Sequence, residues 1–278
     1  MDLVPLDAST ALRLQPDELG GGFTTSPPLL LSNGAHSFPP EKGAPFGGLM
    51  AALCVDAARQ GLEISSPLRT LTVQFMAGAR FDRVDFTPER LRGGRSTVFA
   101  GVRAEQQGKP ILASLATFGA SGHGPSVRPL EGEAPPPLPS AETAMDNPIA
   151  PWFTRTVEYR FIGPHGLMGG HDQARVRVWM RVRGGGPLDE LKLAFLLDAV
   201  FPYFFTVAGP TFSTSVDLRY DLFAELTPAT SPEGWAYFDF ATADCSDGWA
   251  VEDGKAFAPD GQPLAVARQL RKVLAKPR

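Results

Sequence analysis

Apolar and polar positions along the chain form two successive runs of the same kind, each a lead-in, an apolar helix and a series of long strands. In the first run, FGGLMAALCVDAARQ (Phe46–Gln60) is apolar around most of its helical circumference and is closed by Gly61. Leu71, Val73 and Phe75 then alternate with Thr72 and Gln74, the period-two signature of a strand with one buried face. Val98, Ala100, Val102 and Ala104 alternate again, and Gly108–Lys109–Pro110 marks a turn. Ile111–Phe118 follows as a near-continuous apolar strand, predicted to be covered on both faces.

In the second run Ala174, Val176, Val178, Met180 and Val182 alternate strictly with Arg175, Arg177, Trp179, Arg181 and Arg183. Pro187, Asp189 and Glu190 suit a helix start, and LKLAFLLDAVF predicts a helix running to a stop at Pro202. Three strands are predicted beyond it: Thr214–Tyr220, Trp235–Thr242 and, after an Asp260–Gly261 turn, Pro263–Leu270. Between the runs, Gly119–Asn147 is dense in Pro, Gly, Ser and Ala, the composition of an extended surface linker. A helix that is apolar on nearly every side must be surrounded. The predicted class is therefore α+β, with two antiparallel sheets each wrapped around a long apolar helix. The lobes are expected over residues 1–118 and 151–278, joined by a Pro/Gly-rich linker over 119–150.

Composition excludes more than it selects. With 278 residues the chain can bury a large core, and a net charge of −4 gives no global attraction to nucleic acid or anionic lipid. The longest apolar stretch, Leu191–Val207, is interrupted by Lys192, Asp198 and Pro202, so no membrane span is predicted. MDLVPLDAST lacks the basic flank and apolar run of a signal peptide, and a cytoplasmic location is expected. Cys54 falls inside the first apolar helix and Cys245 in the other half, which favours free thiols over a disulfide. No G-x-S-x-G elbow, P-loop or well-placed G-x-G-x-x-G is present. The histidines (His36, His123, His165, His171) sit in lead-in or loop stretches without metal-ligand spacing, so no metal or cofactor is expected.

One carboxylate stands out. Asp198 has Ala194, Phe195, Phe201 and Pro202 at its helical neighbour positions, so no local cation satisfies it. A carboxylate buried without a partner is costly, and such groups concentrate at functional sites. Asp56 is the contrast: Arg59 and Gln60 lie at i+3 and i+4, which predicts a structural pair at an exposed helix end. The Arg175–Arg183 stripe reads as a solvated outer sheet face, and Arg92 and Arg95 as hairpin residues.

Three motifs in order, Phe46–Gly47–Gly48, Glu89–Arg90–Leu91–Arg92–Gly93–Gly94–Arg95–Ser96 and Gln107–Gly108–Lys109–Pro110–Ile111, resemble the first hotdog of acyl-CoA thioesterase II proteins over Pro45–Phe118. The second half is similar through the helix bearing Asp198, the Thr214–Ser215–Val216–Asp217 strand and the closing Asp260–Gly261, Leu264–Ala265 and Gln269. The resemblance implies a double-hotdog fold, an acyl-CoA or related thioester as substrate and a homo-oligomer, while the charge and the lack of a span leave no nucleic-acid or membrane partner expected. It also implies that Asp198, Ser215 (where the family carries Thr) and Gln269 hold the attacking water. Leu218, Tyr220 and Asp221 stand where the family usually has His after the strand Asp and an aromatic–His pair. Gly47 and Gly48 are the candidate oxyanion and substrate-binding residues, because glycine lets a thioester carbonyl approach a helix N-terminus closely. Two rival functions remain open, besides a scaffold whose importance lies in assembly. An enoyl-thioester hydratase is suggested by Asp146–Asn147–Pro148, though Ala150 stands where its His is needed. The other is a double hotdog that binds an acyl thioester or lipid without turning it over.

Overall fold

The computed structural model describes residues 8–16, 22–128, 130, 134–163 and 169–274. The strands are β1 (Gln15–Pro16), β2 (Phe23–Thr25), β3 (Leu68–Phe75), β4 (Val84–Gly93), β5 (Thr97–Gln106), β6 (Lys109–Gly119), β7 (Val157–Phe161), β8 (Arg175–Val182), β9 (Phe212–Leu222), β10 (Ala236–Ser246), β11 (Trp249–Phe257) and β12 (Pro263–Leu274). The α-helices are α1 (Ala8–Ala11), α2 (Gly47–Gly61), α3 (Glu190–Leu196) and α4 (Phe205–Ala208).

The predicted α+β plan appears twice, with one difference. The strands join into a single twelve-stranded sheet, in the order β1-β2-β4-β5-β6-β3-β9-β12-β11-β10-β8-β7. The separate sheets expected from the sequence are fused because β3 and β9 pair antiparallel, Thr70–Gln74 against Asp221–Asp217. Each is the first long strand after its half's buried helix. Their pairing satisfies two rows of backbone groups that separate half-sheets would leave as open edges.

α2 matches its predicted span and is buried from Gly48 to Ala58. The second helix is much shorter than expected. Asp189 caps α3 by accepting from the Lys192 amide at 2.9 Å, and the helix ends at Leu196, before Asp198. Pro202 then bars the helix from resuming past that turn. It has no N–H to offer the Asp198 carbonyl, and its ring crowds that carbonyl in any continuing helix. The Ala199 carbonyl turns away to accept the Tyr159 hydroxyl at 2.7 Å.

β6 also departs from expectation. It is covered on one face only, and Leu115 is 60% exposed on the other, beside the exposed Leu91 and Phe99 of β4 and β5. The linker is more than a tether. Its second part lies across the outer face of the C-terminal half-sheet, where Pro136 accepts from Trp179 Nε1 at 3.1 Å and Pro139 from Arg160 Nη1 at 2.7 Å. There Leu130 packs on Trp179, Trp235, Tyr237 and Phe257. Both cysteines are free, and burial pushes the Cys54 thiol up to about 12.

Asp56 is structural, but it is not at an exposed end. It is fully buried and accepts from the Leu14 amide (2.7 Å), Gln60 Nε2 (2.6 Å) and Arg13 Nη1 (3.1 Å). Arg59 turns instead to Glu190 of α3, with Nη2–Oε2 at 2.6 Å, and ties the two helices together. Replacing Asp56 by Ala strands the Leu14 N–H and leaves Gln60 Nε2 with only the Leu14 carbonyl at 3.3 Å, so Asp56→Ala is expected to lose about 2–3 kcal/mol. Urea unfolding measures the loss, and limited proteolysis should cut within residues 10–16 sooner than in wild type.

Candidate active site

The site is assembled at an irregularity between β9 and β12. Gln269 lies opposite Leu218 and Leu270 opposite Asp217, but Arg271 lies opposite Ser215, so β9 carries one extra residue there. On β12, Gln269 and Arg271 are two residues apart and both face inward, where both are buried. On β9, the buried Leu218 and Tyr220 mark the inward face. Strict alternation from them would send Ser215 outward; the bulge resets the parity and brings it inside.

Asp198 reaches the same place from the turn after α3, with its side chain only 5% exposed. Gln269 Nε2 donates to Asp198 Oδ1 at 3.1 Å and to Ser215 Oγ at 2.7 Å, so the three residues predicted to act together are in one hydrogen-bonded cluster. The N-terminus of α2 has no side-chain cap of its own, since Phe46 occupies the cap position. Asp198 takes that role from the other half, accepting from the Gly48 N–H. A carboxylate at the positive end of a helix is favourably placed.

The two glycines prove to have different surroundings. A Cβ on Gly48 would lie 2.5 Å from the Phe195 carbonyl oxygen and 2.6 Å from the Phe46 ring, so this glycine permits the close approach of α2 and α3. A Cβ on Gly47 would lie 2.7 Å from Asp198 Oδ2 and 3.4 Å from Phe75 Cζ. Gly47 therefore borders the carboxylate, while Gly48 supports it from below.

Two further residues were not foreseen. Arg271 is buried and donates through Nη2 to Gln269 Oε1 (2.6 Å), through Nη1 to Ser215 Oγ (3.3 Å) and through Nε to Glu252 Oε2 (2.6 Å). Its Nη2 is also 3.6 Å from Asp198 Oδ1. Glu252, opposite Gln269 on β11, is buried and accepts the Tyr203 amide as well. Strand parity alone points to Arg271, because it is two positions beyond Gln269. Glu252 lay on a strand that the apolar pattern did not reveal.

Burial raises the Asp198 carboxyl from its ordinary 3.8 to about 6, and the Glu252 charge pushes the same way. Arg271, the Gln269 hydrogen bond and the Gly48 N–H act against that rise. Among the described residues, the main groups acting on Asp198 are Arg271, Gln269, Glu252 and the Gly48 N–H, none of them the imidazole that a hydratase needs beside its carboxylate. His36 is elsewhere, its Nδ1 3.9 Å from Asp146 Oδ1, and burial and Arg155 hold it below its ordinary value. Asn147 accepts from the Ile149 and Ala150 amides and simply shapes a turn. His165 lies outside the described residues.

The Arg175–Arg183 stripe is an outer face laced with ion pairs: Arg175 with Asp239, Arg181 with Glu158 and Arg183 with Glu142. Arg92 and Arg95 are exposed in the β4–β5 hairpin region. Among the described residues, no His/Cys/Asp/Glu group is arranged to hold a metal ion, and no helix is long and apolar enough to cross a membrane.

Two family profiles match the chain: the acyl-CoA thioesterase N-terminal domain over residues 35–119, and the acyl-CoA thioesterase C-terminal domain over residues 131–271. Among solved structures, a conserved hot dog protein of unknown function from Alicyclobacillus acidocaldarius aligns with a TM-score of 0.81 at 24% identity, covering 99% of this chain and 100% of that one. The acyl-CoA thioesterase II TesB2 of Mycobacterium marinum aligns at 0.72 and 21% identity, covering 97% and 98%. The tesB protein of Mycobacterium avium subs paratuberculosis aligns at 0.72 and 18% identity, again covering 97% and 98%. These likenesses establish the hot dog fold along the whole chain. No curated protein sequence matches it.

Proposed function

Because both halves match their domain profiles, the chain belongs to the acyl-CoA thioesterase family, and from that premise we propose that it hydrolyses an acyl-CoA to free acid and thiol. The observation that carries the reading is the buried Asp198 carboxylate, hydrogen-bonded to Gln269 beside Ser215 and bordered by Gly47. Water bound there donates one hydrogen bond to Asp198 and accepts one from the Ser215 hydroxyl on one lone pair. Its other lone pair faces the thioester carbon. Attack forms the new C–O bond as Asp198 takes the water proton, and the carbonyl oxygen becomes an oxyanion. The Gly47 N–H, at the first position of α2, has no preceding helical carbonyl to serve and meets that oxygen. Collapse of the intermediate breaks the C–S bond, and the leaving thiolate recovers the proton from Asp198.

A carboxylate titrating at about 6 suits this work, because near pH 7 it is ionised yet more basic than an ordinary aspartate. Activity requires the ionised form, so turnover should be lost as pH falls through about 6. The test is thiol release from acetyl-, hexanoyl-, palmitoyl- and benzoyl-CoA. Steady release from at least one is expected. If no thiol appears while one of these binds stably, the chain is a binding protein.

A further inference from the structure

Behind the three residues assigned to the water lies a second layer that the proposed reaction leaves unused, the Arg271–Glu252 pair. Their side chains are 9% and 0% exposed. Burying two charges is costly before their attraction returns anything, and apolar residues of similar volume commonly fill such a place more cheaply. The pair therefore calls for a reason beyond stability.

We propose that Arg271 is the positioning residue of this site: it fixes the Gln269 amide and the Ser215 hydroxyl in the one arrangement that serves the attacking water, with Glu252 locking the guanidinium. The inference rests on the hydrolytic reading above. Nη2 holds Gln269 Oε1 at 2.6 Å, so the amide presents Nε2, and only Nε2, to Asp198 and Ser215. Ser215 Oγ accepts from both Gln269 and Arg271, so its lone pairs are engaged and its own hydrogen is left to donate. Glu252 in turn holds Nε at 2.6 Å and is itself fixed by the Tyr203 amide. A planar guanidinium satisfies these directions at once; a lysine ammonium is a point charge and does not.

The same contacts set the charge balance. Asp198 is faced by the α2 N-terminus, Phe75 of β3, Ser215 and Tyr220 of β9, Glu252 of β11, Gln269 and Arg271 of β12, and Tyr203. Both tyrosine hydroxyls are pushed well above their ordinary value by burial and stay neutral. Among the described residues Arg271 is the cation that opposes the rise at Asp198, and Glu252 is the anion that adds to it.

The experiment compares Arg271→Met, Arg271→Lys and Glu252→Gln with wild type and Asp198→Asn, using the acyl-CoA of the four that turns over best. Arg271→Met should lower kcat about 100-fold at pH 7 and move the acid limb of the kcat profile up by about one pH unit, with KM within a few-fold. Glu252→Gln should move the limb the opposite way. Arg271→Lys should restore the limb but little of kcat. Should Arg271→Met fail to fold, Arg271→Met/Glu252→Gln removes both charges together, and it should fold yet keep the kcat loss. A folded Arg271→Met, or a folded double variant, with wild-type kcat and an unmoved limb overturns the proposal. Where Asp198→Asn has lost activity, that outcome leaves the hydrolytic reading standing. Turnover persisting in Asp198→Asn removes Asp198 from the reaction and overturns the positioning role with it, while hydrolysis itself stands.

Discussion

Asp198→Asn is expected to lower kcat about a thousandfold, the range assigned to removal of a well-placed general base. Asn matches Asp in shape but cannot accept the water proton. It also brings an NH2 group into a place where Gln269 Nε2 and the Gly48 N–H both donate, so its amide satisfies only one of them well. Stability should move the other way. The folded carboxyl titrates at about 6 against an ordinary 3.8, so the neutral form is the one the fold favours. That contribution is fully present below the unfolded value and is lost as pH rises through about 6. At pH 8 wild type carries a buried anion that Asn does not, and the melting temperature of the variant should equal or exceed that of wild type. The difference should narrow as the pH falls to 5, where the wild-type carboxyl is largely protonated. Thiol release with thermal melts at the two pH values checks both halves. Full turnover in the variant removes Asp198 from the reaction, and a collapsed melt makes any rate loss uninterpretable as chemistry.

The apolar helix α2 and the alternating strands were legible because one physical demand, burial of a single face, shaped each of them. The parts that escaped were places where another demand prevailed. β11 presents Ala250, Glu252, Gly254 and Ala256 inward and Trp249, Val251, Asp253 and Lys255 outward, so its buried face is small or charged and the binary pattern fades. Gly254 is bare because a Cβ there would lie 2.6 Å from the Phe240 ring, which fills the space from β10. The Ser215 bulge is invisible to period-two reasoning, since it exists to break that period. α3 ends at Leu196, short of the Pro202 that marks the helix stop in the sequence, and no local pattern records that earlier end. The fusion of the two half-sheets depends on pairing between strands far apart in the chain, which no local pattern records. Asp198, marked by the family resemblance, also had a physical reason to stand out. Its helical neighbours offered no cation, and the cation that answers it, Arg271, comes from the last strand.

Gly48→Ala is expected to produce the largest loss of stability, about 3 kcal/mol. The added methyl would lie 2.5 Å from the Phe195 carbonyl oxygen and 2.6 Å from the Phe46 ring, and Gly48 is buried. A backbone oxygen in α3 cannot rotate away as a side chain does, so the two helices must separate. Separation opens space beside a helix that is buried from Gly48 to Ala58, and lost contacts add to the strain. It also carries Asp198, three residues beyond Phe195, away from its amide donor. Gly47→Ala is the matched control. Its methyl meets Asp198 Oδ2 at 2.7 Å, a side-chain atom that swings aside, at a position that is not fully buried. The fold should survive that change with a loss under about 1 kcal/mol, while turnover falls about 100-fold because the base is displaced. Urea unfolding and thiol release on both variants separate the two roles. If Gly48→Ala unfolds at the wild-type urea concentration, the α2–α3 approach is not what the glycine is there to permit. If Gly47→Ala retains wild-type turnover, the carboxylate does not need its present contact with the helix N-terminus to act.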